Sequence, residues 1–292
     1  MRKKGPCIAV IGGDNRQGYL ADALAQDGME VMVVGLEKFP GLHNTRFVSD
    51  AVEAVEEADV MILPMPVSHD GVTVNAPYSY AVIYLSDLVA AASPEQLILG
   101  GKFDRALADE LAGQGLHAID YLEREELAIR NAVPTAEGAL AIAINETKVT
   151  LFGSKCLVIG YGRLGKVLAA DLKALGAQVT VSARKQSDLA WILAGGCRPV
   201  QTAEIYEGLP DYDLIFNTVP ALVLGRKELQ KCRPETVVID LASSPGGLDY
   251  TAGQQLGLKC IQALSLPGKT APASAAVIIK DTILNIIREE TI

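Results

Sequence analysis

The sequence predicts an α/β protein of two doubly wound domains with parallel sheets, and three observations carry the prediction. Residues Lys155-Cys-Leu-Val-Ile-Gly160-Tyr161-Gly162-Arg163-Leu164-Gly165 lead from a short apolar strand through G-x-G-x-x-G into an amphipathic helix. Strand-like apolar runs alternate with helix-length segments in both halves of the chain. The first half also opens with a strand and a glycine turn of its own, Cys7-Ile-Ala-Val-Ile11-Gly12-Gly13. With 292 residues, 49% of them hydrophobic, the chain is long enough for two such cores.

In the first half, the strand at 7–11 is followed by a helix rich in Leu and Ala, then Gly28 and a strand through Val31-Met-Val-Val34. Further strands are predicted at 60–63, 97–99 and 116–119. The turn Gly12-Gly13-Asp14-Asn15-Arg16-Gln17-Gly18 is one residue longer than the fingerprint and puts Asp14 where the middle glycine would stand. A carboxylate facing that position repels a diphosphate, so this domain is expected to bind something other than a dinucleotide. Ligands of open α/β sheets lie at the carboxyl ends of the strands, which makes Gly13, Asp14, Arg16 and Gln17 candidate substrate contacts. A second reading makes Asp14 or Asn15 the polar cap of the next helix.

The segment Asn131-Ala-Val-Pro134-Thr135-Ala136-Glu137-Gly138 leads into an apolar stretch through Ile144. Pro134 suits the first turn of a helix, with Thr135 and Glu137 near its positive end. Such a helix would span an interdomain cleft, where small-molecule sites are common. Glu137 then either meets the substrate or complements the helix dipole. The expected domains are 1–145, a substrate domain; 146–266, a cofactor domain; and 267–292, a terminal helix.

In the second half, Gly160 permits the turn off the strand, Gly162 lets the backbone approach a pyrophosphate, and Gly165 lets the helix pack on the sheet. Leu164, Val167, Leu168, Leu172 and Leu175 recur at helical spacing before Gly176. The next strand, 178–182, ends in Ser182-Ala183-Arg184-Lys185, where an NAD site would carry Asp or Glu. A hydroxyl and two cations suit a 2′-phosphate, so NADP is the expected cofactor. Strands are predicted at 213–217, 236–240 and 258–261. Asn217, Thr218, Val219 and Pro220 would border the nicotinamide ribose, with Asp240 and Ser243 at the next strand end. Pro245-Gly246-Gly247 reads equally as a simple turn. Pro267-Gly268-Lys269-Thr270 opens a terminal helix with Ala276, Ile279, Ile283 and Ile287 on one face, expected to cross back to the first domain.

The net charge is −9, which offers no global attraction to nucleic acid or an anionic membrane. No continuous apolar run approaches the roughly 18 residues of a spanning helix, and no signal-peptide pattern opens the chain, so a cytoplasmic protein is expected. Cys7, Cys156, Cys197, Cys232 and Cys260 have no C-x-x-C spacing and, scattered in apolar contexts, read as buried reduced thiols. Neither they nor His43, His69 and His117 form a metal-ligand pattern, and no metal is expected.

Several motifs together resemble the family of dipicolinate synthase A chains over nearly the whole sequence. They are Gly12-Gly13-Asp14 with Arg16-Gln17, Pro134-Thr135-x-Glu137-Gly138, Gly153-Ser154, the fingerprint, Ala183-Arg184, Asn217-Thr218-x-Pro220, Asp240-Leu241-Ala242-Ser243-x-Pro245-Gly246-Gly247 and Leu266-Pro267-Gly268. The cofactor segments are similar to those of alanine and shikimate dehydrogenases too, whereas the 12–17 loop and the 134–138 turn are more discriminating. The chain departs from the family pattern at 269–275 and at 67–75.

The resemblance implies an NADP-dependent oxidoreductase of sporulating bacteria. In the mother-cell cytoplasm it would convert dihydrodipicolinate, or its hydroxylated tetrahydro precursor from the lysine pathway, to dipicolinate. It also implies a partner, the flavoprotein-like B chain of dipicolinate synthase, and a homo-oligomer is expected. A dicarboxylate substrate needs cations, for which Arg16, Lys102 and Lys269 are candidates, with donors around Ser68, Pro134, Thr135 and Gly268. Thr135, Glu137 and Lys269 are the candidate catalytic residues, Glu137 as proton acceptor, although a bare carboxylate beside a dianionic substrate is repelled unless protonated or paired. Two rivals share the cofactor domain: another NADP-dependent amino- or keto-acid dehydrogenase, and a non-catalytic NADP-sensing protein.

Overall fold

Each of the two glycine turns opens a separate six-stranded parallel sheet. The computed structural model describes residues 5–290. Its two compact units are Met1–Asn131 with Ala271–Ile292, and Ala132–Thr270.

In the first unit, β1 (Cys7–Ile11) leads into α1 (Asn15–Gln26) and β2 (Glu30–Val34). There follow β3 (Arg46–Phe47), α2 (Ala51–Glu57), β4 (Val60–Ile62), α3 (Leu85–Ala91), β5 (Leu97–Gly100), α4 (Arg105–Gly113) and β6 (His117–Asp120). The strand order is β3-β2-β1-β4-β5-β6. Strands buried on both faces read as apolar runs rather than alternations, which is why Ile8, Ala9, Val10 and Ile11 are all fully buried.

The second unit begins within α5 (Glu125–Glu146) and continues through β7 (Lys155–Ile159), α6 (Arg163–Ala174), β8 (Gln178–Ala183), α7 (Gln186–Ala194), β9 (Arg198–Gln201) and β10 (Leu214–Asn217). Then come α8 (Arg226–Leu229), β11 (Val237–Asp240), α9 (Tyr250–Gln255), β12 (Lys259–Gln262) and α10 (Leu266–Thr270). Its order, β12-β11-β10-β7-β8-β9, repeats that of the first sheet. The register aligns Ile159 with both Ser182 and Asn217, and Asn217 with Asp240. Four strand ends therefore finish level at one edge.

The chain returns to the first unit as α11 (Pro272–Glu289). Ala276, Ile279, Ile283 and Ile287 are buried against α1 and the first sheet, as their spacing predicts. Ion pairs Lys280–Asp27, Arg130–Asp281 and Arg124–Glu289 flank that apolar seam.

The edge strands β3 and β9 escape the sequence reading. β3 is only two exposed residues, and β9 contains Pro199, whose missing N–H is tolerated only at a sheet edge or bulge. The expectation for Pro134 is corrected: it lies inside α5, which begins at Glu125, rather than in a first turn. Glu125 and Glu126 occupy the positive end, so Thr135 and Glu137 do not complement the dipole. Helix α5 is long and apolar enough to cross a membrane by length and composition, but it buries Ala132, Ala136, Ala139 and Ala143 inside the protein. Gly138 is there for close packing: a Cβ would fall 2.9 Å from Thr270 Oγ1 and 3.0 Å from Leu266 Cβ.

Candidate functional site

The aligned strand ends of the second sheet gather the predicted cofactor residues at its carboxyl edge. Strand β7 is followed by Gly160 at φ +99°, a left-handed conformation that favours glycine, and the Gly160 N–H donates to Ser182 O at 3.1 Å. A Cβ on Gly165 would run into the Gly160 carbonyl oxygen, so the first turn of α6 rests directly on the turn before it. Gly162 differs: it caps α6 in an extended conformation that any residue can adopt, and a Cβ there would meet nothing within 4 Å. Its glycine is needed for neither backbone nor neighbours, which leaves the open approach to the helix N-terminus as the reason. Leu164 packs into the core beneath, and half-buried Tyr161 has the Lys166 ammonium 5.5 Å from its ring centroid. Arg163 is exposed at the first position of α6.

At the end of β8 Ala183 is buried, whereas Arg184 and Lys185 just beyond it are exposed. Arg184 has no ion-pair partner among the described residues, and Lys185 caps α7 without a side-chain hydrogen bond. The expectation for Ser182 is corrected. It is fully buried, with its hydroxyl 3.3 Å from Thr202 Oγ1 and 3.4 Å from Gly160 N, so it braces the turn rather than facing a 2′-phosphate. Asn217 and Asp240 are likewise fully buried and bonded to each other at 2.7 Å. Thr218 donates to Ile159 O at 2.8 Å, while Val219 is half-buried and Pro220 and Ser243 are exposed. The open volume over Gly162, the uncapped first turn of α6 and the free cations after β8 fit a dinucleotide.

The first unit's turn is built differently. Asp14 caps α1, accepting from Arg16 N at 2.9 Å, so the capping reading of Asp14 holds. The same carboxylate takes the Arg16 guanidinium, with Nε to Oδ1 at 3.0 Å and Nη2 to Oδ2 at 2.8 Å. Arg16 Nη2 also donates to Met65 O. Arg16 is 7% exposed, and a buried guanidinium keeps its charge only when paired, so it is no free cation for a substrate. Gln17, 1% exposed, donates to Leu63 O and Tyr121 Oη and does not face a ligand. The Gly13 N–H is taken by Asn75 O. Ser68 closes a loop onto Asp70, whose carboxyl is held well below the usual range by hydrogen bonds, first from the Thr73 and Val72 amides. Lys102 is exposed at the carboxyl end of β5, with φ +62°.

The candidate catalytic residues lie on adjoining elements of the second unit. The contact of Gly138 with Leu266 and Thr270 packs the Pro134–Gly138 segment of α5 against α10. Pro134 is buried, Thr135 half-buried and Glu137 exposed; Gly268 is half-buried and Lys269 exposed. Desolvation first, and then the Glu137 charge, raise the Asp171 carboxyl. The described residues hold no cluster of potential metal ligands; of the cysteines, Cys156 and Cys232 are buried as expected, whereas Cys7, Cys197 and Cys260 are only half-buried. Sequence reasoning missed Thr202 and Tyr250, which touch Ser182 and Asp240 from positions that no motif spacing marks.

Residues 7–122 match the family model of the N-terminal domain of dipicolinate synthase A chains. Residues 115–245 match the NAD-binding domain of D-isomer-specific 2-hydroxyacid dehydrogenases. The dipicolinate synthase A chain of Bacillus subtilis (strain 168) is 32% identical over 286 residues, 97% of this chain and 96% of the relative. This chain belongs to the family of dipicolinate synthase A chains. The fold agrees with that of the family: the crystal structure of the Bacillus halodurans member has a TM-score of 0.89 at 30% identity, covering 96% of this chain and 97% of its own. That of the Bacillus subtilis member also reaches 0.89, at 32% identity, covering 98% of this chain and 96% of its own. As a member of this family with a dehydrogenase-type nucleotide domain, the chain has the role of an NAD(P)-dependent oxidoreductase.

Proposed function

We propose that this chain oxidises dihydrodipicolinate to dipicolinate with NADP, the dihydrodipicolinate being taken as such or formed by loss of water from its hydroxylated tetrahydro precursor. The relationship to a dipicolinate synthase along 97% of the chain carries the choice of substrate. Exposed Arg184 and Lys185 after β8, where NAD sites place a carboxylate, carry the choice of NADP.

Bound at the carboxyl edge of the second sheet, the nicotinamide supplies the hydride acceptor. The protein residues align and neutralise. The N-terminal turn of α6 meets the diphosphate, and Arg184 and Lys185 meet the 2′-phosphate. Thr218 to Pro220 and Ser243 border the nicotinamide ribose. Because the product ring is aromatic, alignment of donor and acceptor is the main demand on the site. In the second unit, exposed Lys269 is the cation for a dicarboxylate, with Thr135 and Gly268 as neutral donors. Glu137 takes the proton that leaves the ring.

The chain is proposed to work in the cytoplasm of a sporulating mother cell, as a homo-oligomer and with the flavoprotein-like partner of its family. The test is NADPH absorbance, followed with purified chain, NADP and freshly generated dihydrodipicolinate, with and without that partner. Absorbance should rise with substrate. Turnover of an amino or keto acid with no response to dihydrodipicolinate overturns the substrate, and NADPH binding without hydride transfer in either condition overturns the activity.

A further inference from the structure

Asp240 is fully buried, so it does not touch a cofactor, and the expectation of direct contact is corrected. Its carboxyl group is nonetheless the most heavily used acceptor at the sheet edge. Oδ1 accepts from Asn217 Nδ2 at 2.7 Å and Ala242 N at 3.1 Å. Oδ2 accepts from Gly247 N at 2.9 Å and Tyr250 Oη at 2.8 Å. Four donors occupy the four lone-pair positions of one carboxylate.

Two of those donors are amides at either end of the exposed turn carrying Ser243, one is the side chain that begins the neighbouring Asn217–Pro220 loop, and one comes from α9. Asn217 extends the chain of bonds: its second N–H donates to Val219 O at 2.9 Å, and its Oδ1 accepts from Val219 N at 3.1 Å. Gly247 lies so close that a Cβ would collide with the Asn217 amide and fall 2.8 Å from Val219 O. Val223 and Leu224 both donate to Gly247 O at 3.0 Å. Both loops at the nicotinamide end of the proposed site thus hang from one carboxyl group. Burial first, and then the bond to Asp240, raise the Tyr250 phenol well above its ordinary range, which keeps it a donor.

We infer that Asp240 is a positioning residue that holds the 241–247 loop, with Ser243 at its tip, against the 217–220 loop, and that Tyr250 completes its hold. The inference rests on the NADP reading of this edge. Asp240→Asn replaces an acceptor by an NH2 group that faces existing donors, whereas Tyr250→Phe removes one of the four hydrogen bonds and keeps the carboxylate that accepts from the Ala242 and Gly247 amides.

The experiment uses the full chain and two readouts: hydrogen exchange at the Ala242 and Gly247 amides without ligand, and NADPH affinity by nicotinamide fluorescence. Losing a hydrogen bond to a charged group should speed exchange at both amides and weaken NADPH binding by about tenfold in Asp240→Asn, and by about threefold in Tyr250→Phe. Where Asp240→Asn does not fold, Tyr250→Phe decides. Unchanged exchange and affinity in a folded variant overturn the inference. So does weakened NADPH binding with unchanged amide protection, because Asp240 would then act other than through the loop. If wild type does not bind NADPH but the variants still lose amide protection, the dinucleotide reading fails and the positioning role stands.

Discussion

Two alanine substitutions three residues apart should separate folding from cofactor binding. In Gly165→Ala the new methyl meets the Gly160 carbonyl oxygen and lies 3.0 Å from its carbon, both backbone atoms that cannot rotate away. Overpacking of that kind costs about 3 kcal/mol, and the gain in helix propensity returns about 1, for a net loss of about 2 kcal/mol. For a unit of this size the melting temperature should fall by roughly 6–8 °C.

In Gly162→Ala the methyl enters open space at φ −77° and ψ −164°, which alanine adopts freely. The weaker N-cap costs about 0.5–1 kcal/mol, and the smaller entropy of the unfolded chain offsets a similar amount, leaving stability within about 0.5 kcal/mol of wild type. The methyl does occupy the approach to the first turn of α6. Loss of charge-assisted contacts worth about 1.5–3 kcal/mol corresponds to NADPH binding roughly 10- to 150-fold weaker. Thermal unfolding and a fluorescence titration of each variant measure both effects. Wild-type affinity in Gly162→Ala would refute the diphosphate position. Wild-type stability in Gly165→Ala would refute the rigid contact with Gly160.

Arg184→Ala should weaken NADPH binding about 10- to 100-fold and leave NADH binding nearly unchanged; equal losses in parallel titrations would remove the 2′-phosphate reading. Ile283→Ala, at a fully buried position of α11, should cost about 2–4 kcal/mol of the first unit's stability in urea unfolding. Burial pushes the Cys156 and Cys232 thiols up from 9.0 to about 11, so at pH 8 only about one in a thousand is thiolate, and native protein should resist iodoacetamide there by mass spectrometry while urea-unfolded protein is labelled. Because the folded pKa is the higher one, the stability linked to these thiols is complete below about pH 9 and is lost as pH rises through about 11.

Both sheets were legible because parallel strands buried on two faces announce themselves as apolar runs, and the fingerprint announces its turn through glycine alone. The edge strands were not legible, since β3 is too short and β9 carries a proline. Pro134 misled because a proline marks a helix start only where the preceding turn is absent, and here Glu125 to Val133 already form it.

At the candidate site, the sequence by itself determined which residues sit at the strand ends: Gly160 to Gly165, Ser182 to Lys185, Asn217 to Pro220 and Asp240. Periodicity and turn chemistry are local, so they can be read along the chain. Only the tertiary structure decided which of these side chains face outward. Ser182, Asn217 and Asp240 at strand ends and Arg16 and Gln17 in the first turn of α1 are polar, and each looks like a ligand contact until its burial and partners are known. A polar group pulled out of water must find a bonding partner, and the partners found here, Thr202, Tyr250, Asp14 and Leu63, are brought close only by the fold.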